Sequence, residues 1–230
     1  MTASLCGAFL LSGAAALLFE TLWFRLSGLA LGNSVWASSA VLASFMAGLA
    51  LGNLVAARRG ERVRRPLRLY AALETAVAVL GLGLVLGLPG LAEGLAPSLA
   101  GLREAPGLLN GSRGLAAFAL MLLPATAMGT TLPLLTRALT RHDPRFGVAL
   151  GRLYGWNTLG GVAGAVAGEA VLIARLGLVG TAVVAASLNL VAAAVALRLD
   201  RRSSSDPAAP APSRSGTPGR APRVARLLAA

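Results

Sequence analysis

Long stretches without a single charged side chain are the feature that most constrains this chain of 230 residues. A membrane-spanning helix needs roughly 20 mostly apolar residues, and runs of about this length recur along the sequence. The uncharged runs cover residues 1–19, 26–57, 75–92, 114–136, 153–168 and 176–197. We therefore predict an all-α integral membrane protein, a bundle of six transmembrane helices at about 5–31, 35–57, 67–91, 114–139, 148–173 and 176–198.

The composition supports a membrane protein and excludes several classes of function. Charged residues make up 13% of the chain, whereas soluble domains carry about 25%. A single cysteine, Cys6, excludes an internal disulfide framework, and a single histidine, His142, excludes a histidine-cluster metal site. The absence of lysine excludes a Walker-type nucleotide loop. We therefore predict neither a cofactor nor a bound metal.

The placement of the arginines predicts the orientation of the helices. All 21 strong bases are arginine, and only nine acids oppose them. Seventeen arginines fall within 58–68, 137–152 and the region after 197, all on one side of a six-helix bundle, whereas the other side keeps only Arg103, Arg113 and Arg175. The positive-inside rule places both termini in the cytoplasm, in the inner (plasma) membrane. The net charge then reflects topology and an association with lipid, and no motif for binding nucleic acid accompanies it.

The sequence divides into three parts. Residues 1–199 form the predicted transmembrane domain, in which 92–113 is an external loop rich in turn residues. Residues 200–222 are a stretch of Pro, Ser, Ala and Arg without an apolar period, which predicts a disordered cytoplasmic linker. Residues 223–230 turn apolar again and resemble the start of a further apolar segment.

Ionisable side chains at membrane depth are the strongest candidates for function, because they are costly there. The predicted helices contain Glu20, Arg25, Glu74 and Glu169. Internal pairing, of Glu20 with Arg25 or with a base on a neighbouring helix, is one interpretation. A role in binding a solute or a proton is a second, and exposure at the lipid interface is a third. Asn157 is a candidate for an interhelical hydrogen bond or a ligand contact.

The fourth predicted helix contains Pro124 and Pro133 on either side of Gly129. Proline removes a backbone donor and bends or breaks a helix. Broken helices line the sites of many transporters, so these residues predict either a helix break at a site or a simple kink.

Five segments together resemble one known family. They are residues 12–26, 45–52, 66–74, 128–135 and 151–160. In this order they are similar to the first five helices of the membrane proteins known as fused MFS-type transporter/spermidine synthase. The resemblance implies one MFS-like half of six helices, joined in the family to a soluble aminopropyltransferase domain that acts on polyamines.

The resemblance sets the expected function without making the chain an enzyme. No glycine-rich cofactor loop follows residue 200, so we expect no synthase activity here. We expect a transporter-like or membrane-anchoring half that handles a small solute such as a polyamine. Its expected partners are a second copy or a second membrane half, and a separate synthase-like domain. The alternative is a structural or regulatory subunit, or a truncated product, without a substrate of its own.

Overall fold

The protein is described by a computed structural model over residues 2–31, 35–101, 106–140 and 146–205, and within these ranges it is helical, without a strand. A 3-10 turn (Gly60–Arg62) follows the second helix, and a π-helical turn (Gly168–Leu172) joins the last two. The α-helices are α1 (Thr2–Leu31), α2 (Val35–Arg59), α3 (Pro66–Ala100), α4 (Pro106–Thr140), α5 (Phe146–Ala167) and α6 (Ile173–Ser205).

Five stretches of the described helices are long and apolar enough to cross a membrane. They are Thr2–Gly28, Ser39–Arg62, Pro66–Gly90, Gly107–Leu139 and Gly147–Arg202. The predicted class, an all-α protein with membrane-spanning helices, is confirmed to this extent. Helix is the expected form, because lipid offers backbone N–H and C=O groups no partners and only a helix satisfies them within one segment.

The last of these stretches contains 56 residues and includes α5, the π turn and α6. A straight helix of this length would measure about 84 Å, almost three times the roughly 30 Å of a bilayer core. The helix is interrupted at Gly177, whose φ of 69° lies in the left-handed region that favours glycine. The Thr181 hydroxyl donates to the Gly177 carbonyl oxygen over 2.7 Å.

α1 lies at the centre of the bundle and contacts each of the five other helices. A buried hydrophobic cluster holds the end of the bundle where α1 and α3 begin and α4 and α6 end. It includes Leu5, Leu67, Leu139 and Ala196. A second cluster holds the other half of the bundle. It joins the later part of α1 to α3, α4 and α6 and includes Leu22, Val85, Met121 and Ala182.

α1 and α5 run parallel and approach until their backbones touch. A Cβ at Gly160 would collide with the carbonyl oxygen of Leu10, and one at Gly164 would collide with that of Ala14. A step of four residues along α1 therefore corresponds to a step of four residues in the same direction along α5. Small residues at this spacing allow close packing where lipid removes the hydrophobic drive between helices.

α2 and α4 form a second parallel pair with the same kind of contact. A Cβ at Gly52 would collide with the Thr126 carbonyl oxygen, and one at Gly129 would collide with that of Leu49. The Ser44 hydroxyl donates to the Phe118 carbonyl oxygen over 2.6 Å. Gly129 therefore serves the packing of these two helices.

α6 runs opposite to α3. The Arg68 guanidinium, near the start of α3, pairs with the Asp200 carboxylate near the end of α6 over 2.6 Å. At the other end, Val85 shares the second core cluster with Ala182. α3 itself is parallel to α1, because Ser12 contacts Glu74 and the Trp23 indole donates to the Gly81 carbonyl oxygen.

Two predicted boundaries are wrong. The external loop expected over 92–113 is largely helical, since α3 continues to Ala100 and α4 starts at Pro106. Proline fits the first turn of a helix, where its missing N–H costs nothing. The linker predicted to start at 200 begins instead as helix, since α6 continues to Ser205, and the Arg68–Asp200 pair holds this extension. The remaining residues predicted as linker, 206–222, and the segment 223–230 lie outside the described residues.

For Pro124, Gly129 and Pro133 the sequence left two interpretations, a helix break or a kink, and α4 runs without a break through both prolines. The neighbouring helix α2 packs against α4 through close glycine contacts and supports it. Prolines are tolerated in spanning helices when neighbouring helices support the backbone around them.

Candidate functional site

A cavity of about 620 Å³ lies between α1, α2 and the π turn. Its volume falls in the range of about 300–1,000 Å³ that is typical of small-molecule sites. One face of α1 supplies most of the wall, α2 supplies one leucine, and the π turn supplies one glutamate. The lining residues are Leu17, Glu20, Thr21, Phe24, Arg25, Gly28, Leu42 and Glu169.

The α1 wall follows helical spacing. Leu17, Thr21 and Gly28 are four and seven residues apart, so they lie on the same face of the helix, where each turn takes 3.6 residues. Gly28 has no side chain and leaves space at the end of this face nearest the end of α1. The uncharged side chains of the wall are thus apolar or small. The ionisable side chains of the lining are Glu20, Arg25 and Glu169.

Arg25 and Glu169 form an ion pair across the cavity. The Arg25 Nη2 donates to the Glu169 Oε2 over 2.8 Å, and the two side chains are 47% and 51% exposed. The direct pairing of Arg25 with Glu20, one interpretation of the sequence, is therefore wrong, and the partner is on a neighbouring helix. Positions five apart lie about 140° apart around a helix, so one helix cannot easily bring them together.

The π turn aims Glu169 at the cavity. It comprises Gly168–Leu172, and Gly168 is buried against the Leu18 side chain of α1. A π turn inserts one extra residue and changes which side chains face a neighbour, and such turns occur frequently at functional sites. The sequence shows a glycine directly before Glu169, but it does not indicate the π turn that changes the helical register there.

Glu20 is the ionisable side chain of the cavity that pairs with no other described residue. It is half-buried, and among the described residues no hydrogen bond or ion pair reaches its carboxylate. The Arg25–Glu169 pair is neutral as a unit, so an ionised Glu20 gives the cavity an excess of one negative charge. Carboxylates are strong partners for ammonium groups, which donate charge-assisted hydrogen bonds.

Glu74 lies elsewhere, in the core between α1 and α3. It is 2% exposed and accepts a 2.7 Å hydrogen bond from the Ser12 hydroxyl. The Tyr70 hydroxyl lies beside the same carboxyl group but falls short of hydrogen-bond geometry. The sequence predicted Glu74 as a candidate without indicating Ser12, because only the register between α1 and α3 brings these residues together.

Asn157 belongs to the contact between α1 and α5. Its backbone and side-chain oxygens lie against Gly13, where a Cβ would collide with both. The structure thus separates the five predicted site residues into three places: Glu20, Arg25 and Glu169 share the cavity, Glu74 is in the core, and Asn157 is at a helix contact. No three metal-ligating side chains cluster anywhere in the described ranges.

The cavity residues that the sequence did not indicate are uncharged. Thr21 and Phe24 follow Glu20 on the wall, and Leu42 of α2 is exposed towards the same space. The signal available was helical spacing from Glu20, which selects Phe24, four residues later, as a neighbour on the same face. Thr21 directly follows Glu20 and is not selected by that spacing. Nothing in the sequence selects Leu42.

Comparison with known proteins gives no relative, since no family model, curated protein or solved structure matches the chain.

Proposed function

We propose that the chain is a six-pass membrane module with a site for a small organic cation, acting as a transporter-like half or a membrane anchor. The observation that carries this proposal is the Glu20 carboxylate, which lies without a partner among the described residues in a cavity of about 620 Å³. An ammonium group entering there gains a carboxylate, and the ring of Phe24 on the same wall adds a cation–π contact.

The direction of the helices supports six passes. α5 runs parallel to α1, as the contacts of Gly160 and Gly164 require, whereas α6 runs opposite to α3, which is itself parallel to α1. The 56-residue stretch therefore turns back on itself, and the interruption at Gly177 is the natural point for that reversal. Two passes through the membrane account for its length.

The arginines support the orientation with both termini in the cytoplasm. Six of them, from Arg58 to Arg68, lie where α2 ends and α3 begins, and all are exposed. This is the end of the bundle where α1 starts and α6 finishes. Under the positive-inside rule this end faces the cytoplasm, and the inner (plasma) membrane is the proposed location.

The resemblance to the fused MFS-type transporter/spermidine synthase family suggests a polyamine as the cation. A polyamine carries ammonium groups on a flexible apolar stem, so one ammonium group can pair with Glu20 while the stem lies along the apolar wall. In this proposal the chain does not catalyse aminopropyl transfer itself. A synthase-like domain and a second membrane half, or a second copy of the chain, are the proposed partners.

One observation favours the alternative of a structural or regulatory subunit. The Arg25 guanidinium already neutralises Glu169, so two of the three charges in the cavity have a purely structural explanation. In that case Glu20 would face lipid headgroups or water and would hold no solute. Binding experiments separate the two functions.

The test is binding and uptake of labelled spermidine in proteoliposomes. We expect saturable binding by the wild type, and at least about tenfold weaker binding by Glu20→Gln, because one charge-assisted contact is lost. Glu93→Gln is the matched control, since Glu93 is an exposed carboxylate of α3 away from the cavity. Uptake in addition to binding indicates a transporter, and binding without uptake indicates a half that needs a partner.

The proposal fails if a well-folded wild type binds no spermidine. It also fails if Glu20→Gln and Glu93→Gln bind spermidine as tightly as the wild type. Either result leaves the anchoring or structural function as the better account.

A further inference from the structure

A dense basic patch marks the connection from α2 to α3. Within eleven residues it contains six exposed arginines and one acid. The patch comprises Arg58, Arg59, Arg62, Arg64, Arg65 and Arg68, with Glu61 as the acid. Arg68 is held by Asp200, whereas Arg58, Arg59 and Arg62 lie at the end of α2 and in the 3-10 turn.

A second cavity opens directly beside this patch. It has a volume of about 350 Å³ and lies between the ends of α2 and α4 and the start of α5. Most of its wall is apolar, and the 3-10 turn closes it at one side. The lining residues are Asn53, Ala56, Gly60, Glu61, Leu132, Pro133, Leu134, Thr136, Arg137 and Leu150.

The turn above the cavity is held in place by a contact between helices. The Arg137 guanidinium of α4 donates to the backbone oxygen of Glu61. This contact ties the connection between α2 and α3 to the end of α4. Arg62, the arginine of the 3-10 turn, therefore lies on a segment that is tied to α4 beside the apolar space.

We propose that the basic patch and the cavity together bind one anionic phospholipid. The lipid phosphate lies against Arg59 and Arg62, and the upper part of one acyl chain enters the cavity between Ala56 and Leu150. Clusters of arginine next to a membrane-spanning helix attract anionic headgroups, each base contributing to the attraction. The arginines and the apolar space beside them follow the same order as the phosphate and the acyl chain of a phospholipid.

The combination is what points to a lipid. Arginines that only set the topology require no cavity beside them, because the positive-inside rule acts on charge number alone. A free phosphate gains nothing from the apolar wall, and a neutral lipid gains nothing from the arginines. Both parts of the site lie at the end of the spans Ser39–Arg62 and Gly107–Leu139, where the headgroup region of a bilayer begins.

The test compares lipids that differ only in headgroup. Purified full-length protein is loaded with dioleoyl phosphatidylglycerol or dioleoyl phosphatidylcholine, and retained lipid is counted by native mass spectrometry. We expect phosphatidylglycerol to be retained at least about tenfold more strongly. Glycerol 3-phosphate, which has the headgroup chemistry without acyl chains, should not displace it.

Variants then separate the site from general attraction to a positive surface. Arg59→Gln/Arg62→Gln should lose at least about tenfold of the phosphatidylglycerol retention. The matched control Arg198→Gln/Arg202→Gln removes two exposed arginines from the end of α6 and should retain the lipid. Leu150→Trp fills the cavity and should reduce retention while leaving the arginines in place.

Three results would overturn the proposal. The first is equal retention of the two lipids by the wild type, a measurement that does not depend on the folding of any variant. The second is an equal loss in both arginine pairs, which indicates a diffuse charge effect. The third is displacement by glycerol 3-phosphate, which indicates a site for a soluble phosphate instead of a lipid.

Discussion

Arg25 and Glu169 are 144 positions apart in the sequence and form one ion pair in the bundle. Their side chains are about half exposed, so the pair gains less than a fully buried one would. The pair leaves the Glu20 carboxyl group as the ionisable group of the cavity that has no partner among the described residues. The consequence at this position is chemical: a cation that binds beside Glu20 does not need to break the existing pair.

We expect a double-mutant cycle to couple Arg25 with Glu169. Arg25→Gln and Glu169→Gln should each lower the free energy of unfolding in mixed micelles, with a coupling of about 0.2–1 kcal/mol, the range of exposed pairs. A cycle of Arg25→Gln with Glu20→Gln should give a smaller coupling. The larger coupling for Arg25 with Glu20 would contradict the observed pairing.

Glu74 has a different role from the cavity carboxylates, because the Ser12 hydroxyl donates to it in the core. Glu74→Ala leaves that hydroxyl without its partner, and we expect a loss of about 1–3 kcal/mol in the free energy of unfolding. Glu74→Gln keeps an oxygen acceptor of similar shape and should cost less than about 1 kcal/mol. Equal losses for the two variants would show that the hydrogen bond from Ser12 contributes nothing.

The helices themselves were largely predictable, and their contacts were not. Uncharged runs located α1 and α2 to within a few residues, because one apolar residue after another is what lipid requires. The loop predicted at 92–113 failed, since glycine and proline mark turns in water but are tolerated in helices that neighbours or lipid support. The partner of Arg25 depends on the register of α1 against α5 and on the π turn that follows α5, which no single segment encodes.

The parallel packing of α1 and α5 can be tested by adding one methyl group. We expect Gly160→Ala to lower the free energy of unfolding by about 1–3 kcal/mol, because its Cβ would collide with the Leu10 carbonyl oxygen. Gly155→Ala is the matched control on the same helix, where nothing lies within 4 Å. It should instead stabilise the protein by up to about 1 kcal/mol through helix propensity. The same sign for both variants would argue against this contact.

Two parallel helix pairs and an antiparallel sixth helix define the bundle as a whole. α1 with α5 and α2 with α4 pack through glycines, whereas α3 and α6 pack through larger side chains and the Arg68–Asp200 pair. The exposed apolar side chains of these helices are the expected covering of a protein surrounded by lipid. The number of passes then decides on which side of the membrane each connection lies.

The proposed six passes would place the two ends of the stretch Gly147–Arg202 on the same side of the membrane. In a Cys6→Ser background, Arg65→Cys and Arg201→Cys should react with a membrane-impermeant thiol reagent from one side of oriented vesicles. Glu93→Cys should react from the other side. Five passes would instead put Arg65→Cys and Arg201→Cys on opposite sides, and that result would contradict the reversal at Gly177.

The most direct test of the cation site is protection of a single cysteine inside the cavity. Thr21→Cys in the Cys6→Ser background places a thiol next to Glu20, and Gly7→Cys places one on the same helix about 21 Å away. We expect spermidine to slow the reaction of Thr21→Cys with a neutral maleimide in a saturable manner, and to leave Gly7→Cys unchanged. The protection should disappear when Glu20→Gln is added. Equal labelling of Thr21→Cys with and without spermidine, or protection that persists without the Glu20 carboxylate, would contradict the account.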